Sequence, residues 1–382
     1  MAKKSFALPA AMGVAAVWFG SHAGAGFATG RQEVNFFVQF GWHAVWIGVL
    51  SMLIMGIAIF FGLELARTHG VHDYKSLFKI LYAPYDWLLA NLWDALYLYA
   101  VILGAGVAIA GASDLLYQSL HIPYGIAVIL VGCLLLLCTT FGAGLVRHAS
   151  TAMAVFIVAA LIIVTALGIQ FSSTNLGEVV HAKTTTAGFG KILWMALLYG
   201  AFQSVLIAPI VSVSEPLRTR KQCFAAALCG FIVNGAMLLI VCIMLLGFFP
   251  GVIQENLPIY YVTTLLGRPW LFTLYSLILF FALMSTGVGM IFGVVKRFEA
   301  VWTGGHGIFK SLGMRRITIC LACLLISGGI SMFGLMAIVA KGYGSLGVLA
   351  IFLNIIPLLF IAPIKIRRAT ALKEGRNGTG YE

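Results

Sequence analysis

The first apolar stretch of the chain contains Gly20-Ser21-His22-Ala23-Gly24-Ala25-Gly26-Phe27-Ala28-Thr29-Gly30, where a helix facing lipid would carry Leu, Ile and Phe. Glycine costs a helix about 1 kcal/mol relative to Ala, so four glycines here make unwinding inexpensive. A break is expected over Ala23 to Gly26. The amides of the outer half-helix would then face an anion, and the carbonyls ending the inner half-helix would face a cation. Ser21, His22, Gly24, Ala25 and Gly26 are therefore candidate substrate contacts. A small-residue surface for packing against another helix would have the same composition.

A second interruption is expected in Tyr199-Gly200-Ala201-Phe202-Gln203-Ser204, which reaches Pro209 within two turns. Paired interruptions in two halves of a membrane protein point to a central binding site, which adds Tyr199, Phe202 and Gln203 to the candidates. His22 titrates near neutral pH when unperturbed, so it could carry a proton, contact a substrate, or serve as a hydrogen-bonded structural residue. Asp94 is a costly intramembrane carboxylate that could meet a substrate amine, or a Lys or Arg, with Tyr97 beside it as a wall. Its alternative is a structural partner on the cytoplasmic side. Arg31 and Glu33, just beyond the break, could form an external gate or a solvated vestibule pair.

These residues must be positioned by membrane helices. Of 382 residues, 61% are hydrophobic and 9% charged, far from the balance of a soluble domain. At about 20 apolar residues per crossing, the chain can supply about ten crossings and no soluble catalytic domain. Spans are expected near Leu8–Phe37, Ala44–Leu65, Pro84–Ala112, Pro123–Phe141, Ala149–Phe171, Ile192–Val213, Phe224–Phe249, Pro269–Val301, Ile317–Phe333 and Gly344–Ile364. Lys3 and Lys4 before an apolar run resemble a signal peptide, but the pattern resumes through Phe27 and Phe36 to Phe40 as one interrupted span. The seven cysteines lie in or beside apolar segments without metal-finger spacing and read as reduced, space-filling thiols.

The formal charge of +12 is scattered through short loops, which excludes a nucleic-acid face and reads as topology. With both termini cytoplasmic, Arg31, Lys183, Lys191, Arg268 and Lys341 fall outside and the other nineteen of the 24 basic residues fall inside. The cytoplasmic (inner) membrane is the expected location. The polar segment 172–191 divides the chain into residues 1–171 and 192–364, followed by a cytoplasmic tail over 365–382. Corresponding spans lie about 175 to 195 residues apart, and five being odd, the two halves must be inverted repeats. The expected fold is thus all-α, with ten transmembrane helices in a five-plus-five inverted repeat and helices one and six discontinuous.

The stretch Gly24 to Gly30, followed by Gln32-Glu33 and Phe36-Phe37, resembles the first-helix motif of the YkvI family of bacterial membrane proteins, with Gly104-Ala105-Gly106 and Tyr199 to Gln203 also similar. That family resembles the amino acid-polyamine-organocation superfamily, which implies the LeuT-like fold. Sodium-coupled members of this fold hold an ion between carbonyls before the first-helix break and paired hydroxyls on the eighth helix. The resemblance places such a site at Gly20, Ala23, Ala282, Ser285 and Thr286, whose oxygens suit a hard cation. Adjacent hydroxyls also commonly bond back to their own helix. A second sodium site in the superfamily uses an Asn shortly after the break, where this chain has Phe27.

The function expected is secondary active transport of a small organic solute, an amino acid, amine or related zwitterion, by alternating access coupled to Na⁺ or H⁺. No cofactor is expected beyond Na⁺ as a coupling ion, and the partners are the solute and the bilayer. The alternatives are an intramembrane sensor or enzyme, or a channel. No His-Glu-x-x-His, Gly-x-Ser-x-Gly or Gly-x-x-x-x-Gly-Lys pattern supports an enzyme.

Overall fold

The first apolar stretch folds in three pieces: α1 (Ala7–His22), α2 (Ala25–Thr29) and α3 (Arg31–Phe36). The computed structural model describes residues 7–141, 143–302 and 310–378. Lys3 and Lys4 lie outside the described residues, as do the side chains of Arg147, Lys296, Lys373 and Arg376. Ala23 N–H still donates to Phe19 O at 2.8 Å and Ala28 N–H to Gly24 O at 2.9 Å, so the interruption is confined to Ala23 and Gly24. Ala25 and Gly26, expected to be unwound, are already helical. A second turn occurs at Gly30, whose φ of 79° is open to glycine at little cost; a Cβ there would also lie 2.6 Å from the Ile259 side chain.

The chain continues through α4 (Ala44–His69), α5 (Tyr74–Tyr82), α6 (Asp86–Leu120), α7 (Tyr124–Phe141) and α8 (Ala143–Phe171). Gly70, in the left-handed conformation, ends α4, and His121 does the same for α6 just before Pro123. Asp73 caps α5 by accepting from Ser76 N–H at 2.8 Å. The segment expected as a plain polar connection contains α9 (Ser173–His181), bent 72° from α8.

Next come α10 (Phe189–Ser204), α11 (Ile207–Ser212), α12 (Arg220–Leu246), α13 (Pro258–Leu265), α14 (Pro269–Val301), α15 (Leu312–Ser331) and a helical stretch over Leu335–Leu372, α16. Thr219 and Gln222 form a capping box that starts α12. The second interruption is displaced from its expected place, because Gly200 to Gln203 are helical and the ladder slips at Val205 and Leu206. Pro209 explains the shift: it has no N–H to offer the Val205 carbonyl four residues earlier, which accepts from Ala208 N–H at 3.3 Å instead. Gly200 serves close packing, since a Cβ there would lie 2.8 Å from Ser51 O on α4.

Among the described residues, seven helical stretches are long and apolar enough to cross a membrane, or up to eight if α8 and α9 count as one bent span. Large apolar side chains stand exposed along the outer helices, including Ile129 on α7, Phe156 on α8, Ile232 on α12, Leu325 on α15 and Phe360 on α16. A water-facing surface would not sustain such a belt, whereas lipid solvates it. Inside, α4 packs along α12, α6 along α14, and α7 along α15, while α10 lies between α4 and α16.

Candidate functional site

The interruptions in the first stretch and between α10 and α11 open onto one cavity of about 410 Å³, walled also by α6, α14 and α16. Gly20, Ser21, His22, Gly24, Ala25 and Gly26 contribute the α1–α2 side, so the substrate candidates of the first stretch converge. Phe202 and Gln203 come from α10, Tyr97 from α6, and Ser285 and Thr286 from α14. Gly24 faces α14, its Cβ position lying 3.7 Å from Thr286 Oγ1, an ordinary contact distance. Of the five sodium candidates, Gly20, Ser285 and Thr286 line the cavity, whereas Ala23 and Ala282 do not. The Ser21 hydroxyl donates back to Val17 O at 2.7 Å, leaving its oxygen able to accept.

One wall of the cavity is a polar clasp with an aromatic backing. Gln203 Nε2 donates to Gln32 Oε1 at 3.2 Å, and the Phe202 and Tyr343 rings stack with centroids 4.8 Å apart and planes 7° from parallel. Gly26 gives the Gln32 amide its room, because a Cβ on residue 26 would lie 2.7 Å from Gln32 Cδ. Gln32 and Tyr343 were not among the candidates. The polar side chain of Gln32 beside the glycine-rich run was a usable signal, whereas nothing in the local sequence set Tyr343 apart.

His22 bridges the cavity wall to the interior. Its Nδ1 lies 2.8 Å from Asn234 Oδ1 and its Nε2 lies 2.9 Å from the Tyr199 hydroxyl. Asn234 Nδ2 donates to Gly230 O at 2.7 Å, which leaves Oδ1 as the acceptor facing the imidazole. Nδ1 is therefore the donor, and in the neutral ring Nε2 accepts from Tyr199. Tyr199 is fully buried one layer behind the cavity, packed on Phe36 and Phe37. Asn234, on α12, is a third participant that the sequence did not single out.

Three other candidates lie away from the cavity. Asp94 forms an ion pair with Arg297 of α14 and accepts from the Tyr74 hydroxyl at 3.1 Å, so its carboxylate is engaged by neighbours from α14 and α5. Arg31 does not pair with Glu33; its Nη1 donates to the carbonyls of Ile253 and Glu255 at 2.7 and 2.8 Å. Arg31 is 4% exposed and Glu33 fully buried, which does not fit a solvated vestibule pair.

The arrangement is a LeuT-like fold, as comparison with solved structures shows. The manganese transporter of Eremococcus coleocola matches 97% of this chain and 87% of its own at 14% identity and a TM-score of 0.61. MhsT in complex with L-phenylalanine matches 94% of this chain and 98% of its own at 16% identity and a TM-score of 0.59. In sequence, the chain is 24% identical over 296 residues to the uncharacterized membrane protein YkvI of Bacillus subtilis (strain 168), covering 75% of this chain and 80% of that protein. No family model matches the chain.

Proposed function

We propose that this protein is a secondary active transporter that moves a small organic solute, an amino acid, amine or related zwitterion, by alternating access with Na⁺ or H⁺ as the coupling ion. The observation that carries this reading is the cavity at the two helix interruptions, lined by glycines, hydroxyls, two carboxamides and aromatic rings. A pocket of that size, mostly apolar with a few convergent polar groups, suits a small organic molecule. MhsT, a protein of the same fold, is complexed with L-phenylalanine, which supports the amino acid class.

The proposal includes ten crossings. The three pieces α1 to α3 make the first, α7 the fourth, α8 the fifth, and α10 with α11 the discontinuous sixth. Residues 1–171 and 192–364 are then inverted repeats joined by 172–191, with a tail over 365–382. The pairwise packing of α4 with α12, α6 with α14, and α7 with α15 supports this, because these are the second, third and fourth crossings of each half. The chain is placed in the inner membrane with both termini cytoplasmic on the strength of its basic-residue asymmetry.

The test is thermal stabilisation of the purified full-length protein by a panel of amino acids, amines and nucleobases, in sodium and in choline buffers. A ligand at a hundredfold its Kd should stabilise the folded state by about 2.7 kcal/mol. Stabilisation by at least one solute, lost on cavity substitution, is the expected result. A hit whose effect survives replacement of Gln203 and Phe202 would place its binding elsewhere and overturn the assignment of the site.

A further inference from the structure

Glu33, in α3, is fully buried, and among the described residues neither carboxyl oxygen has a hydrogen-bond partner. Among the described residues, the groups on adjoining elements do not supply a counter-charge. Tyr199 from α10, Cys242 from α12 and Tyr275 from α14 lie close enough to interact electrostatically with it, and none carries positive charge in either protonation state. Arg31 is turned to the carbonyls of Ile253 and Glu255, beside the Glu255 side chain. His43 packs against Trp42 and Trp46, Lys341 is exposed, and Tyr343 stacks on Phe202.

An ionised carboxylate stripped of water and left without a partner is strongly disfavoured, whereas the neutral acid at the same place costs much less. We propose that Glu33 is a proton-binding site, occupied in this conformation and emptied when the outer part of the first crossing swings into contact with water. The hinge positions are in place, since α2 and α3 are separated from α1 at Ala23 and Gly24 and from each other at Gly30. The site also lies near the cavity: Tyr199, close enough to Glu33 to interact electrostatically, is hydrogen-bonded to His22, which lines the cavity wall. A group whose proton occupancy differs between two conformations links pH to their balance, and by reciprocity any ligand that shifts the balance shifts proton binding. This rests on the transport reading for when the proton moves, and makes H⁺ a coupling ion of the same cycle.

Infrared difference spectroscopy of the full-length protein in lipid tests the occupancy. At neutral pH the wild type should show a protonated-carboxyl C=O band that shifts down in D₂O, disappears in Glu33→Gln and persists in Asp94→Asn. Glu33→Asp keeps a titratable carboxyl and should move the band, which assigns it if the Gln variant fails to fold. A wild-type spectrum with no band assignable to Glu33 means an ionised side chain and overturns the proposal. Hydrogen exchange of α2 and α3, corrected for the intrinsic pH dependence of amide exchange, tests the linkage. Protection should fall as pH rises in the wild type and stay high in Glu33→Gln. The same pH dependence in both would overturn it. If the band and the linkage are found but no solute is transported, the transport reading fails and the proton site stands.

Discussion

Gln203 Nε2 donates to Gln32 Oε1 at 3.2 Å, joining residues 171 positions apart across the cavity wall. Gln203→Ala removes the donor and leaves the Gln32 carboxamide without this partner. Solute affinity should fall about tenfold, equivalent to about 1.4 kcal/mol, with a loss of about 1 kcal/mol in folding stability. Calorimetric titration of a solute found by the stabilisation screen, beside thermal unfolding, separates the two effects. Unchanged affinity would remove the clasp from the binding site.

Gly26→Ala should impair function far more than Gly20→Ala, although both glycines line the cavity. The added methyl at position 26 would collide with the Gln32 amide, whereas among the described residues nothing lies within 4 Å of the Cβ position at residue 20. Overpacking of this kind costs about 1 to 3 kcal/mol unless the neighbour moves, and here the movement would break the Gln32–Gln203 contact. Uptake into proteoliposomes by the two variants decides it, and equal uptake would show that the clasp tolerates displacement.

If Na⁺ binds at Gly20, Ala23, Ala282, Ser285 and Thr286, solute affinity should rise with sodium, and the double substitution Ser285→Ala, Thr286→Ala should abolish that rise. Linkage requires the solute to tighten sodium binding by the same factor. Binding measured in sodium and in choline at constant ionic strength provides the comparison. Sodium independence of the wild type would eliminate the assignment whatever the variants do.

Asp94 and Arg297 tie α6 to α14, with side-chain exposures of 12% and 29%. Replacing either by Ala should cost about 1 to 3 kcal/mol, between the values for exposed and fully buried pairs. Because the two act on one interaction, the double variant should lose less than the sum of the single losses. Thermal unfolding of the four proteins in a double-mutant cycle gives the coupling. Additive losses would show that the pair contributes nothing of its own.

Single cysteines at the exposed positions Lys183 and Arg218, in a background lacking the exposed Cys133, should label from opposite sides of the membrane. Impermeant maleimide applied to intact cells is expected to reach Lys183→Cys and not Arg218→Cys. Labelling of Arg218→Cys alone would invert the orientation and discard the positive-inside reading.

The residue order by itself determined that this chain lives in lipid and where most of its helices run, because hydropathy is a local property and a lipid-exposed segment must satisfy its backbone groups within its own helix. It also located the interruption beside Ala23. Tertiary packing decided the rest. Gly200 looked like a break, yet its missing side chain admits Ser51 O from α4, and Pro209 interrupts the helix a turn later. Asp94 could meet a substrate amine, a basic side chain or a structural partner, and only the packing of α6 on α14 decided for Arg297, 203 positions away. His22 acquired its hydrogen-bond roles from Asn234 and Tyr199, 212 and 177 positions away. Arg31 and Glu33 read as a pair, but both lie in the helix α3, where residues two apart face different sides, and one reaches the carbonyls of Ile253 and Glu255 while the other enters the interior. Such partnerships depend on which faces of distant helices meet, and spacing along one segment contains no information about that.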